Sequence, residues 1–375
     1  MIWPRATVVA LAASLLACAP GTAQRAGRLA SIRLPPGLAI SEYAPDVPGA
    51  RSLALSPAGI VYVGTRGEGS VYAVVDEDRD GSAERVVTIA RGLRQPNGIA
   101  WHEGSLYVAE VHRVLRFAAI DRFVTTGRGM EDPSLAVVVR ELPESDHHEW
   151  RYIAFGPDGK LYVGLGAPCN VCVADVPLGT IARMNPDGSG FEVFASGVRN
   201  SVGFDWHPDT GELWLTDNGR DRMGDDVPAD ELNRAPRPGL HFGFPFCHQG
   251  DVPDPEHGER RLCSEFEPPA LRFGAHVAAL GMRFYDGAMF PEEYRGRIFV
   301  AQHGSWNRSS KVGYRIVSVR LEGDGAVEAE PFAEGWLQGE EVWGRPVDVL
   351  VMPDGALLVS DDRAGAIYRI TASRN

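Results

Sequence analysis

Lysine is almost missing from this 375-residue chain: Lys160 and Lys311 are the only two, so its positive charge is carried by arginine. The formal balance is −13 at pH 7, which argues against nucleic acid or an anionic lipid surface as the main partner. No apolar run reaches the ~18–20 residues of a membrane span. Cysteine is scarce, at five residues. A Cys-X-X-Cys-His haem motif is lacking, because Val173 follows Cys172. Cys247 and Cys263 supply no second Cys-X-X-Cys for a structural zinc site. What is abundant is turn chemistry, with 43 glycines and 27 prolines in a chain that is 44% hydrophobic. That is globular composition, and the length allows two or three average domains or one large all-β body.

The first residues read as a secretory leader, with Arg5 as the positive region and Ala6–Ala17 as the apolar stretch. Leu15-Leu16-Ala17-Cys18 resembles a bacterial lipobox, so residues 1–17 are expected to be removed and Cys18 lipidated. The alternative is an ordinary signal peptide cut after Ala23. Residues 18–33 would then form a tether and 34–375 a single catalytic body. Export puts Cys169, Cys172, Cys247 and Cys263 in an oxidising compartment, where an even number suggests two disulfides. Three pairings are open, and the nearest-neighbour choice is Cys169–Cys172 with Cys247–Cys263.

A turn followed by an alternating apolar strand recurs six times, beginning at Ser56, His102, Gly156, His207, Tyr294 and Met352. Each phrase places Gly or Asp-Gly where a tight turn needs positive φ, then β-branched, aromatic and aliphatic residues. Most starts lie 46–58 residues apart, and one step is 87. Such periods with strand-only units predict an all-β, six-bladed β-propeller. The long step predicts a loop insertion between blades four and five, roughly Arg220 to Ala270. Long helices are not expected, since no 3.6-residue apolar period is sustained.

Polar clusters fall between these phrases. Asp146-His147-His148-Glu149 precedes the third, and His148 is a candidate general base. Arg199-Asn200 precedes the fourth and offers donors for a carboxylate. Asp217 to Glu231 is dense in oxygen ligands, with Asp221, Asp225, Asp226 and Asp230 between, and suits a hard cation. His303-Gly304-Ser305-Trp306-Asn307-Arg308 follows the fifth strand, and Arg345 precedes the sixth phrase. Arg199, Arg308, Lys311 and Arg345 are therefore candidates to converge on a small polyanion. Asp76, Asp78 and Asp80 match the start of a calcium loop, although Val87 stands where its glutamate belongs.

With these phrases assembled, the chain resembles the glucose and sorbosone dehydrogenases, quinoproteins on a six-bladed propeller. The likeness is carried by LRQPNGIAWHEG, HHEWRYIAFGPDGKLYVGLG, ASGVRNSVGFDWHPDTGELWLTDNGRD, HFGFPFCHQG, FVAQHGSWNRS and GRPVDVLVMPDG. It spans about Leu34 to Ile370 and is closer to the sorbosone dehydrogenase-like branch. The resemblance implies pyrroloquinoline quinone with calcium beside it. It makes His148 the general base and Arg199, Asn200, Arg345, and Arg308 or Lys311 the cofactor contacts. It assigns the backbone carbonyls of Gly219 and Arg220 to the metal. One departure is clear: the soluble glucose dehydrogenases carry an aspartate near the histidine where this chain reads Gly166-Ala167-Pro168. Asp146 or Glu149 is then expected to orient His148.

The resulting expectation is an exported, periplasmic and lipid-anchored dehydrogenase acting on a sugar hemiacetal or hydrated aldehyde. A separate electron acceptor, cytochrome or quinone, would be its partner, since no haem motif is present. Two rivals are a calcium-dependent lactonase or esterase on the same fold and a non-catalytic binding propeller.

Overall fold

The computed structural model describes residues 27–126, 136–323 and 325–373. The leader and Cys18 lie outside the described residues. Each of the six phrases folds as expected, forming the second strand of a four-stranded antiparallel unit. Those strands are Val61–Val63, Ser105–Ala109, Leu161–Leu165, Leu213–Asp217, Ile298–Gln302 and Leu357–Asp361. The turn glycines Gly59, Gly104, Gly159, Gly211, Gly296 and Gly355 all have positive φ, between +69° and +88°. A side chain there would be strained, so the repeated glycine is a backbone requirement.

The second strands are short, largely apolar and in five blades buried at every residue, as in Leu161–Leu165 and Ile298–Gln302. Each is covered on both faces by a neighbouring blade, which explains near-continuous apolar runs where one-sided sheets would alternate. Outer strands such as Val137–Glu141 are half exposed. Among the described residues the hydrophobic core of the ring is six clusters, one between each pair of adjacent blades, and a seventh, smaller one lies in the insertion. Leu106, Val108 and Tyr62 join blades one and two. Phe299, Phe332, Leu357 and Tyr368 join blades five and six. Leu53, Val61, Leu358 and Ile367 close the ring between blades six and one.

Hydrogen bonding also closes the ring, because the N-terminal strand Leu38–Ala44, which leads into blade one, pairs with Ala366–Ala372 as the outermost strand of blade six. The described part of the expected tether is not free chain. Leu29 and Ile32 pack on the blade five–six cluster, and Arg33 exchanges backbone hydrogen bonds with Glu334 at 2.7 and 3.1 Å.

The insertion falls inside blade four, between its third strand Ala229–Ala235 and its fourth strand Leu271–Ala275, rather than after the blade. Its Leu240–His241 segment runs parallel to the outer strand of blade three. Cys247–Cys263 closes it as one of two disulfides, and Cys169–Cys172 is the other. Phe246 and Phe266 stack beside Cys247. Buried Asp254 accepts from His248 Nε2 at 2.8 Å and is paired with Arg220. These contacts fasten the insertion to the blade as an ordered wall. Among the described residues no helix is long and apolar enough to cross a membrane.

Candidate active site

One end of the central channel opens into a cavity of about 510 Å³. The loop entering each blade contributes to it: Arg51, Gln95, His148, Arg199, Ala278 and Arg345 for blades one to six. A propeller converges these loops on its axis, so residues nearly 300 positions apart share one wall. His148, Arg199, Asn200, Gly219 and Arg345, all singled out from the sequence, line this cavity.

His148 sits at φ +49°, in the left-handed region that non-glycine residues seldom adopt. Its Nδ1 lies 2.8 Å from the Ala167 carbonyl oxygen. A carbonyl can only accept, so Nδ1 carries the proton and Nε2 keeps the lone pair. Burial, then the neighbouring Arg199 guanidinium, pushes the imidazole down to about 3, which keeps it neutral at ordinary pH. The expected acid is therefore replaced by a backbone group. Glu149 instead accepts from Gln95 Nε2 at 2.7 Å, and Asp146 is exposed at the cavity rim. The carbonyl reaches the ring because Gly166 leaves room for it: a Cβ there would overlap that of His148.

Arg199 is 4% exposed and held on several sides. Its Nη2 donates to Asp221 Oδ2 at 2.7 Å and Asn170 Oδ1 at 2.8 Å, and its Nε to the Asn170 carbonyl at 2.9 Å. The backbone N–H groups of Arg199 and Asn200 donate to the buried Asp217 carboxylate at 2.8 and 2.7 Å. Burial raises Asp217 to about 6 against those donors. Arg345 donates through Nε and Nη2 to the carbonyls of His303 and Gly304 at 3.1 and 2.7 Å. Its Nη1 has no hydrogen bond among the described residues.

Gly219 donates its N–H to Asp230 Oδ1 at 2.8 Å, and Asp230 also lines the cavity. Arg220 does not line it; its side chain runs to Asp254 and Glu256 in the insertion. Arg308 and Lys311 do not line it either. Arg308 is turned to the Asp225 carbonyl and Asp226, and Lys311 to Glu340 at 2.9 Å from the backbone oxygen. The expected convergence of four cations is thus met by a different set, in which Arg51 and Arg66 stand with Arg199 and Arg345.

The acidic run from Asp217 to Glu231 does not gather on one point. Asp221 serves Arg199, Asp225 serves Ser309, Asp230 caps backbone N–H groups, and Glu231 bonds Gln249 and Asn233. Asp76, Asp78 and Asp80 do gather with Glu84 within 4.8 Å, on the outer hairpin of blade one and away from the cavity. Several of these carboxylates cap N–H groups of their own loop, as Asp76 does for Gly81 at 3.0 Å.

Sequence reasoning missed Arg51, Arg66, Gln95, Asn170, and the pair of His303 Nε2 with Asp362 Oδ1 at 2.9 Å. Arg51 also bonds Asp362, at 2.6 Å, and Arg66 stacks over Trp150 at 3.7 Å. Arg51 was findable: like Arg345 it stands just before the first strand of a blade. Gln95 Nε2 is engaged by Glu149, but its buried Oε1 has no partner among the described residues.

Fold and site together define a propeller enzyme that presents a neutral histidine and several guanidinium groups to one axial cavity. The chain belongs to the glucose/sorbosone dehydrogenase family, whose model matches residues 107–369. It is 33% identical over 330 residues to an uncharacterised protein of Borreliella burgdorferi, with 85% of each chain covered. Many solved structures share the fold. A Trichoderma reesei carbohydrate-active enzyme of family AA12 has a TM-score of 0.78 at 21% identity, covering 91% of this chain and 98% of that one. The holo PQQ domain of Coprinopsis cinerea pyranose dehydrogenase has a TM-score of 0.74 at 18% identity, covering 91% and 97%.

Proposed function

We propose that the protein is an exported quinoprotein dehydrogenase that oxidises a sugar hemiacetal or hydrated aldehyde using pyrroloquinoline quinone and calcium. The observation that carries this reading is the juxtaposition of His148, neutral and with Nε2 unprotonated, with the guanidinium groups of Arg51, Arg199 and Arg345. The named activity of the family and the PQQ domain among its fold relatives support it.

The residues present fit such a cofactor. Pyrroloquinoline quinone is a planar tricarboxylate, and the cavity offers guanidinium forks with donors to spare, as at Arg345 Nη1. Calcium would be held by main-chain oxygens near Gly219, beside the buried Asp230 carboxylate, which caps the Gly219 and Ala278 N–H groups. The orphaned Gln95 Oε1 fits an acceptor for a hydroxyl of the bound substrate. When bound, the quinone supplies the two-electron acceptor that the protein lacks. The chain's own part is to place the substrate and to take a proton at His148 Nε2. Ala167 holds the imidazole in the right tautomer, and the resulting positive charge is shared through the Nδ1–H bond. Arg199, Arg345 and Arg51 bind anionic groups and offset negative charge that develops in the reaction. Arg199, Asn200 and Arg345 are the proposed cofactor contacts, and Gly219 with Arg220 the proposed metal contacts through main-chain oxygens. Arg308 and Lys311 have no part in this arrangement. Electrons then leave to a separate acceptor, and Cys18 ties the protein to the membrane by its lipid.

The test is reconstitution of apo-protein with calcium, with and without the quinone, against a dye-linked panel of sugars and aldehydes. Dye reduction that needs both additions supports the reading. Hydrolysis of lactones with calcium alone, and no dye reduction, overturns it in favour of a hydrolytic propeller.

A further inference from the structure

We propose that Asn170, held inside the ring closed by Cys169–Cys172, is the positioning residue that aims Arg199 into the cavity. The inference rests on the reading of Arg199 as a cofactor contact. Arginine is long and flexible, and a buried guanidinium acts as a directed fork only when its plane is fixed from behind. At Arg199 two of the four guanidinium bonds come from one residue, with Asp221 and the Asn218 carbonyl supplying the others. Asn170 takes the Nε proton on its main-chain oxygen and an Nη2 proton on Oδ1, at 2.9 and 2.8 Å. The two bonds engage one edge of the guanidinium and set both its position and its plane.

Asn170 also governs the counter-ion. Its Oδ1 accepts the Asp221 N–H at 2.9 Å while its Nδ2 donates to the Asp221 carbonyl at 3.1 Å. The Asp221 carboxylate so placed pairs with Arg199 through Oδ2 and accepts from Asn307 through Oδ1, at 2.7 and 2.6 Å. One amide side chain therefore ties the blade three loop to blade four, and through Asp221 to blade five. The task needs a donor and an acceptor on the same short side chain. Aspartate would lose the donor and compete for the Arg199 charge, and alanine would lose both.

The disulfide gives this amide its rigidity. Asn170 lies between the second strand of blade three, ending at Leu165, and the third, starting at Thr180. That segment has no regular structure, and its Val173 and Val176 are exposed. Cys169 and Cys172 bracket Asn170 in a covalent ring with a sequence separation of three, which restricts its backbone. The main-chain oxygen that holds Arg199 Nε belongs to that ring. Opening it frees the carbonyl and the amide together.

The experiment is equilibrium binding of pyrroloquinoline quinone to full-length apo-protein in calcium, for wild type, Asn170→Ala, Arg199→Ala and the double variant. Arg199→Ala should weaken binding, and Asn170→Ala should weaken it roughly tenfold, as expected for losing the support of a charge-assisted contact. The double variant should bind no worse than Arg199→Ala, because residues acting as one unit are not additive. Turnover of Asn170→Ala at saturating quinone should fall no further than that of Arg199→Ala, and a larger fall would mean that Asn170 acts on something other than Arg199. A Cys169→Ser/Cys172→Ser variant should reproduce the weakening, and it stands in if Asn170→Ala does not fold. If Arg199→Ala is impaired while Asn170→Ala binds like wild type, or the two losses add, Asn170 does not position Arg199. If Arg199→Ala itself binds like wild type, the underlying assignment of Arg199 fails instead.

Discussion

Replacing Gly166 with alanine should disable the base without touching a single catalytic atom. The new Cβ would overlap the His148 Cβ and lie 2.7 Å from the His148 carbonyl oxygen, about 0.7 Å inside ordinary contact. Both atoms belong to a residue already in a strained backbone conformation, at φ +49°, so the least costly relief is to push His148 away. The ring then leaves its 2.8 Å bond to Ala167, and Nε2 loses its aim. A misplacement near 1 Å costs on the order of 10²-fold in rate, so kcat should fall roughly 10–100-fold. Quinone binding should change little, because the same Cβ meets the Arg199 carbonyl at an ordinary 3.4 Å. The assay is dye-linked kcat beside quinone affinity by equilibrium titration. Wild-type kcat in Gly166→Ala would refute the claim that Ala167 and Gly166 aim the base. Equal losses in binding and turnover would instead show a collapsed cavity.

Other consequences follow from the same contacts. Arg345→Ala should weaken quinone retention by roughly tenfold through loss of a charge-assisted pair, and excess quinone should restore turnover; an unchanged affinity would remove Arg345 from the cofactor site. His148 is neutral in the fold down to about pH 3 but titrates near 6.5 when unfolded, so acidification below 6.5 favours the unfolded chain. Comparing wild type with His148→Ala between pH 6.5 and 5 should therefore show wild type losing roughly 1.6 kcal/mol in all relative to the variant, the slope approaching about 1.4 kcal/mol per unit only below that range. A pH-independent difference in denaturant titrations would mean the imidazole is not held neutral. Opening Cys247–Cys263, which closes a loop of sequence separation 16, should cost ~3 kcal/mol in the chain-entropy model. The insertion should then become protease-sensitive before the ring does; simultaneous digestion of both would contradict its description as a separately fastened wall.

The ring was legible because its signal is local. Each turn glycine and the apolar strand after it sit within one phrase, and all six phrases became second strands. The insertion was misplaced for the complementary reason. The outer strand Leu271–Ala275 follows the insertion and carries no turn phrase, so the sequence does not mark where blade four ends. His148, Arg199, Asn200 and Arg345 were singled out because they lie in loops entering a blade, one to five residues before its first strand. Arg308 and Lys311 were misjudged because charge alone does not give direction. Asp225, Asp226 and Glu340 lie nearby and draw both cations away from the axis. The partner of His148 was illegible because a backbone carbonyl leaves no signature in residue type. Asn170 was hidden for a related reason, since its value depends on Arg199 and Asp221 meeting it across blades.

The most direct test of the account is a single spectroscopic comparison of wild type and His148→Ala, each reconstituted with calcium and quinone and then given an oxidisable sugar. Both should retain the bound quinone after gel filtration, because the guanidinium groups hold it. Wild type should then bleach the oxidised chromophore rapidly, and His148→Ala should do so slower by ~10²–10⁴-fold, the usual cost of removing a general base. Bleaching at the wild-type rate in His148→Ala would contradict the central claim that Nε2 of this histidine takes the substrate proton.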